Sequence, residues 1–211
     1  MTQELRDTIL VEALNEIPFT GISDVTLRAA AERAGVSETD MAALFPNGPA
    51  DLVKAFSHWA DTQMQQRMAI DAPEKIRARI AKAVRARIEV LAPHKEAARQ
   101  AASFLAVPTH APMAAQLVLD TVDAMWRASG DQSSDFNYYT KRALLAGVYG
   151  STLIYWFSDS SEGHEATWSF LDSRIEDVMR IQKMRSSVEN AAAKLPDPFG
   201  VLASMRMARP R

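Results

Sequence analysis

The chain of 211 residues contains no cysteine. Disulfides and thiolate metal sites are therefore excluded, and a reducing compartment is the default expectation. No apolar run approaches the roughly 18 residues that a membrane-spanning helix needs. Residues 1–16 are charged and helical in pattern. They lack the basic stub and apolar run of a secretory signal, and they are not an Arg-rich transit peptide. The four histidines, His58, His94, His110 and His164, are scattered, with no pair at metal-binding helical spacing. Nucleophile-elbow, phosphate-loop and dinucleotide fingerprints are missing too. Asp123, Asp131, Asp135 and Asp159 suggest carboxylate chemistry by number, yet each falls where helix capping accounts for it. The chain reads as a non-enzyme. Its formal net charge of −2 gives no global attraction to nucleic acid or anionic membrane.

No repeat, no low-complexity segment and no sustained period of two interrupts a composition led by Ala, Leu, Met, Glu, Lys and Arg. The expectation is an all-α bundle of about nine to ten helices. Helix one covers Thr2 to Ile17, with Leu5, Ile9, Leu10, Ala13, Leu14 and Ile17 on one face, and Pro18 and Gly21 end it. Val25 to Ala34 follows, closed by Gly35, and Ser37 then caps a short helix to Leu44. Asp51 to Ile70 is long. Pro73 opens a helix to Leu91 at the first-turn position proline prefers, and Pro93 opens another to Val107. Ala111 to Ser129, Asp135 to Ser158 and His164 to Arg185 complete the set, before a tail broken by Pro196 and Pro198. Three parts are expected: residues 1–48, 49–185 and 186–211.

The helix from Asp135 is the chain's organising element. Gly130 stops the helix before it, and Ser133, Ser134 and Asp135 suit its N-cap. It carries two apolar stripes. One is Phe136, Tyr139, Ala143, Leu144, Gly147, Val148, Ser151, Ile154 and Tyr155; the other is Tyr138, Leu145, Tyr149, Thr152 and Trp156. A helix apolar around most of its circumference is covered on more than one side, here by a core or cavity and by a second subunit.

Val25 to Pro46, with Ala34-Gly-Val-Ser37 at the turn, Leu44-Phe-Pro46 after it and Asp51-Leu52 opening the next helix, resembles the N-terminal helix-turn-helix of tetracycline-repressor-type regulators. The resemblance implies their fold. It does not bring DNA chemistry with it, because Ser37 to Leu44 offers Glu38 and Asp40 and no cation to reach phosphates or base edges. Residues 1–60 hold four cations (Arg6, Arg28, Arg33, Lys54) against nine acids, a net of −5. A polyanion is repelled by such a surface. A ligand-responsive regulator remains the alternative reading.

A denser resemblance covers about Asp120 to Arg180. Asp123-Ala-Met-Trp126, Gly130-Asp-Gln-Ser-Ser-Asp-Phe-Asn-Tyr-Tyr-Thr-Lys-Arg142, Asp159-Ser-Ser161 and Thr167-Trp-Ser-Phe-Leu171 are similar to the ubiquinone (coenzyme Q) biosynthesis lipid-binding family, with collinear similarity from Thr8 to Pro112. The resemblance implies a non-catalytic carrier without cofactor. Its ligand would be an isoprenoid quinone intermediate or phospholipid, and it would present the quinone precursor to a di-iron hydroxylase. By the same motif, Asp123, Trp126, Asp135, Tyr138 and Tyr139 would meet the hydroxylase and Arg142 a lipid head group. The family often has tryptophan at Tyr138 and arginine at Lys141. Tyr, Trp and a neighbouring charge suit an interface, and an arginine beside apolar surface suits phosphate. The same aromatics also suit a core, with Arg142 paired to Asp135 or Asp123.

A deformable cavity is expected from the ten methionines and their neighbours: Met64, Met68, Leu105, Met113, Leu117, Leu144 and Val148, with Ile80, Val84, Leu91, Phe104 and Met179 as further candidates. Residues 73–100 carry eight cations against three acids, a net of +5, which suits either anionic lipid or plain solvation. The family's amphipathic membrane-docking helix would fall in the tail, on Phe199, Val201, Leu202 and Met205. The place expected for the protein is peripheral, at the inner face of a bacterial inner membrane, as a homodimer.

Overall fold

The computed structural model describes the chain except residues 1, 71–72, 74, 131–136 and 193–211; side chains 137–138 and 181–192 are likewise outside the described set. Asp135, Phe136, the side chain of Tyr138 and the tail residues Phe199, Val201, Leu202 and Met205 therefore lie outside the described residues.

Every regular element among the described residues is helical: α1 (Thr2–Thr20), α2 (Asp24–Arg33), α3 (Glu38–Leu44), α4 (Pro49–Ile70), α5 (Ile76–Leu91), α6 (Lys95–Leu105), α7 (Ala111–Ala128), α8 (Asn137–Ser158) and α9 (Glu165–Ala192), with short 3₁₀ turns before α6, α7 and α9. The all-α expectation holds. The chain forms two compact units, Met1–Leu171 and Asp172–Arg211.

Two proline expectations change. α1 runs through Pro18 to Thr20 and ends at Gly21, whose φ of 75° places it in the left-handed region. Proline in the last turn removes one backbone bond, while Ile9, Leu10, Ala13, Leu14 and Ile17 are all buried. The added turn is closed by its own bonds: the Thr20 hydroxyl donates to the Glu16 carbonyl at 3.1 Å and Gly21 N to the Ile17 carbonyl at 2.9 Å. Pro73 does not open α5, which starts at Ile76 with Lys75 at its N-cap. The Pro73 carbonyl instead accepts a hydrogen bond from Nε of Arg79.

Ser23 and Ser37 cap α2 and α3 by accepting from Thr26 N and Asp40 N. α3 presents Glu38, Thr39, Asp40, Ala42 and Ala43 outward, with no cation among them. Among the eight cations of the basic run, Arg79, Arg85, Arg87, Lys95 and Arg99 bond within the chain, although Arg85 and Arg99 stay exposed and of these five only Arg87 is buried. Arg79 also reaches the Ser129 carbonyl, and Arg85 pairs with Glu89 and lies over the Trp168 ring. Lys95 Nζ donates to the Asp159 carbonyl at 2.7 Å and Arg99 to the Phe157 carbonyl at 2.6 Å.

The turn from α8 into α9 is built by Asp159. Its carboxylate accepts from Ser161 N at 2.8 Å and Thr167 N at 3.0 Å, and from the Thr167 hydroxyl. The Thr167 hydroxyl bond outweighs the opposing effect of burial and, with the Ser161 bonds, holds the carboxyl well below the usual carboxylate range. This is capping, as the sequence suggested for Asp159.

The acidic, cation-free α3 should leave the full chain unretarded on duplex DNA in a mobility-shift assay even at about 50 mM salt; a retarded band would restore the regulator reading. Asp159→Asn should lower Tm by about 2–6 °C at neutral pH. Because the folded carboxyl titrates below its unfolded value of about 3.9, the stabilisation is complete above that value and lost as pH falls below it. Thermal melts should therefore show the difference between wild type and variant closing below about pH 4, and a constant gap would exclude the carboxylate as its source.

Candidate functional site

A cavity of about 320 Å³, open to solvent on one side, lies among α4 to α8. Its origin is visible in its walls. Ala98, Ala101, Ala102 and Ala106 from α6 and its C-cap, with Ala114 from α7, supply small side chains where two helices would otherwise interlock. Protein interiors pack densely, so a cluster of alanines on facing helices leaves room that larger neighbours do not fill. Val53 and Phe56 of α4, Leu91 of α5, Leu105 of α6, Leu117 and Val118 of α7 and Leu153 of α8 complete the apolar lining.

Four lining residues are polar: Ser57, Arg87, Thr121 and Tyr149. They meet at one place. Arg87 Nε donates to Asp61 Oδ1 at 2.7 Å, Nη2 to the Ser57 hydroxyl at 3.0 Å, and Nη1 to the Tyr149 hydroxyl. The Thr121 hydroxyl donates to the second Asp61 oxygen at 3.1 Å. Arg87, Asp61 and Thr121 are buried, and so is Tyr149. Burial pulls the Arg87 guanidinium down, but Tyr149 and the Asp61 carboxylate outweigh it and hold the group above its ordinary value. Burial pushes the Tyr149 phenol up, and Arg87 offsets only part of that, so the hydroxyl stays protonated. The arrangement is a closed, charge-balanced pair with hydroxyls around it. Removing either ion would leave the other buried and unpaired, at a cost of about 3–5 kcal/mol.

Of the residues expected on the cavity, Leu91, Leu105 and Leu117 line it. Met64, Met68, Met113, Leu144, Val148, Ile80, Val84 and Phe104 are not among the described lining residues. Met64 and Met68 are almost fully buried on α4 and fill plain core. Met179 belongs to the second unit and is exposed. The alanines, Asp61 and Arg87 were not singled out in the sequence, though a signal existed. Arg87 shares a helical face with Ile80, Val84 and Leu91, and Asp61 shares one with Ala60, Met64 and Met68. A lone charge on an apolar stripe calls for a buried partner.

Arg142, expected at a lipid head group, is buried, and its Nε donates to Asp123 Oδ1 at 2.7 Å. Asp123, expected at a partner surface, is buried as well and also pairs with Arg127. These two residues thus bind each other, the second of the two possibilities open in the sequence. The physical reason is the helix pairing: α7 and α8 pack together and bring position 123 opposite 142. Trp126 is partly buried with the Lys141 ammonium 5.4 Å over its ring. Tyr139 is 76% exposed on α8.

The two stripes of α8 have separate surroundings. Leu145, Tyr149, Thr152 and Trp156 are buried, and Tyr149 reaches the cavity. Tyr139, Ala143, Gly147, Ile154 and Tyr155 are exposed. Val148, placed by its spacing on the outer stripe, is buried.

A family profile described as COQ9 matches residues 111–182. The rat mitochondrial ubiquinone biosynthesis protein COQ9 is 31% identical over 202 residues, covering 92% of this chain and 64% of the relative. The fruit-fly protein of the same name is 34% identical, covering 88% and 58%. COQ9-B of the frog Xenopus laevis is 30% identical, covering 97% and 73%. The chain thus spans about three fifths of the length of the rat and fly relatives. Among solved structures, a TetR transcriptional regulator from Nitrosomonas europaea superposes with a TM-score of 0.67 at 23% identity, covering 82% of this chain and 97% of the regulator. The fold is therefore tetracycline-repressor-like. Through a similarity to the frog protein that covers 97% of this chain and 73% of the relative, the chain belongs to the COQ9 family of ubiquinone biosynthesis proteins.

Proposed function

We propose that this chain is a non-catalytic lipid-binding accessory protein of ubiquinone biosynthesis. It takes the apolar part of an isoprenoid quinone intermediate or a phospholipid into the α4–α8 cavity and presents the quinone precursor to a di-iron hydroxylase at the membrane. The observation that carries the reading is the alanine-walled cavity, with twelve apolar lining residues and one polar end. Its volume of about 320 Å³ is at the lower limit of ligand pockets, which run from about 300 to 1,000 Å³. A ring with a short chain fills it, and a longer isoprenoid would leave through the open side. The charge-balanced polar end supplies hydrogen bonds and no unpaired acid or base, which suits holding a ligand better than turning it over.

The exposed stripe of α8 serves association in this reading. Tyr139 offers a large amphipathic side chain of the kind that anchors interfaces, and it is assigned to the hydroxylase. Ile154, 71% exposed, and Tyr155, with Gly147 and Ala143 between them and Tyr139, are assigned to a second copy of the chain. In a bacterium such a protein would work from the cytoplasmic face of the inner membrane.

Organic extracts of the purified protein should contain co-purifying isoprenoid or phospholipid by mass spectrometry. Ala102→Phe, which fills the cavity, should abolish it while leaving the melting temperature of the extracted protein within a few degrees. A clean wild-type extract from a membrane-containing host would remove the carrier role. Tyr139→Ala and Ile154→Glu separate the two uses of α8. The first should weaken capture of the hydroxylase at least tenfold with sedimentation still dimeric, since anchor residues are worth about 2 kcal/mol or more; the second should yield monomer. If neither variant alters association, the α8 stripe is not the interface.

A further inference from the structure

A second groove, of about 380 Å³, lies where another face of α4 meets α1, and it shares no lining residue with the α4–α8 cavity. Gln3, Arg6 and Asp7 stand on one face of α1, and Trp59, Gln63 and Gln66 on one face of α4. Two charges there have no counter-ion. The Arg6 guanidinium lies 5.2 Å from the centre of the Phe45 ring, and its Nε is buried with no hydrogen-bond partner. Among the described residues no anion comes within ion-pair distance of it. Asp7 accepts from Gln3 Nε2 at 2.8 Å, and no cation among the described residues pairs with it. Arg6 and Asp7 are neighbours in the chain and still do not pair with each other.

These groups define what the groove can hold. A guanidinium laid on a ring, with a buried N–H left over, is a planar donor fork without its acceptor, and a carboxylate has the matching two-oxygen geometry. Asp7 in the same groove repels a phosphate dianion and attracts a cation. One positive and one negative group, kept apart, suit a ligand that carries both charges and none in sum. Trp59 is fixed by stacking on Phe56 at 6.0 Å and by the edge of His94 at 5.8 Å, so it offers a set aromatic surface beside the two amides. We propose that the α1–α4 groove binds a free α-amino acid with an aromatic side chain. Its carboxylate sits on Arg6, its ammonium on Asp7 and its ring against Trp59. This is a second ligand site, and it stands whether or not the α4–α8 cavity carries a lipid.

Titration calorimetry on the full chain tests it with four probes: L-phenylalanine, 3-phenylpropanoate (no ammonium), phenethylamine (no carboxylate) and inorganic phosphate. L-phenylalanine should bind about tenfold or more tighter than either truncated analogue, and phosphate should not compete with it. Arg6→Met, which keeps an apolar stem on Phe45, should weaken L-phenylalanine about tenfold or more and should not weaken phenethylamine. Asp7→Asn should weaken L-phenylalanine about three- to tenfold without weakening 3-phenylpropanoate. If Arg6→Met fails to fold, Asp7→Asn and the analogue series decide the matter alone. No binding of L-phenylalanine, an analogue that binds as tightly, or displacement by phosphate overturns the proposal. Each of those results leaves the lipid content of the purified protein, and with it the carrier reading, untouched.

Discussion

The Arg87–Asp61 pair is the constraint around which the bundle is arranged. It joins α5 to α4 directly and reaches α8 through Tyr149 and α7 through Thr121, all of them buried side chains. A buried ion pair is a weak source of net stability, because desolvation consumes most of the attraction. Its consequence is positional. With five hydrogen-bonding groups gathered at one point, the four helices share one register in which Arg87, Asp61, Ser57, Thr121 and Tyr149 all find partners. Sliding α4 past α5 by a turn strands both charges, and sliding α7 or α8 removes a hydroxyl from one of them.

That register also explains why a cavity persists beside the pair. α6 approaches the same region with alanines, and Ala114 faces them from α7. These small side chains leave the gap unfilled, apolar along most of its wall and polar where Ser57, Arg87, Thr121 and Tyr149 meet. Arg142 and Asp123 form a second buried pair between α7 and α8, and with Tyr149 they fix the rotation of α8. Once α8 is held that way, its other stripe faces outward, and the exposed aromatic and aliphatic side chains there follow from the inner face.

The N-terminal helices combine the packing of a helix-turn-helix with an acidic outer face. α2 and α3 have the serine caps and the glycine-marked turn of a helix-turn-helix, with Gly35 at φ 67°. The exposed face of α3 is acidic and small. Packing needs the caps and the apolar side; a nucleic acid needs the other side, and that side has no cation to offer. Membership of a ubiquinone biosynthesis family and a repressor-like fold are compatible on these terms.

The sequence by itself determined the helices, because period, caps and breakers act over a few residues. Ser37, Gly130 and Asp159 act in the structure as their local chemistry requires. Even there, α1 continues past Pro18, with the Thr20 hydroxyl on the Glu16 carbonyl and Gly21 N on the Ile17 carbonyl. The family was also legible, chiefly from the segment of about Asp120 to Arg180. Local pattern could not say which apolar residues bound empty space. Met64 and Met68 became core, and alanines became walls, because a cavity is set by what faces a residue across the bundle. Nor could it pair the charges. Arg87 was one cation in a basic run and Arg142 one beside aromatics, until the packing of α4 on α5 and α7 on α8 placed Asp61 and Asp123 against them. Those partners are 26 and 19 residues away in the chain, beyond the reach of any helical period, so only the tertiary structure decided them.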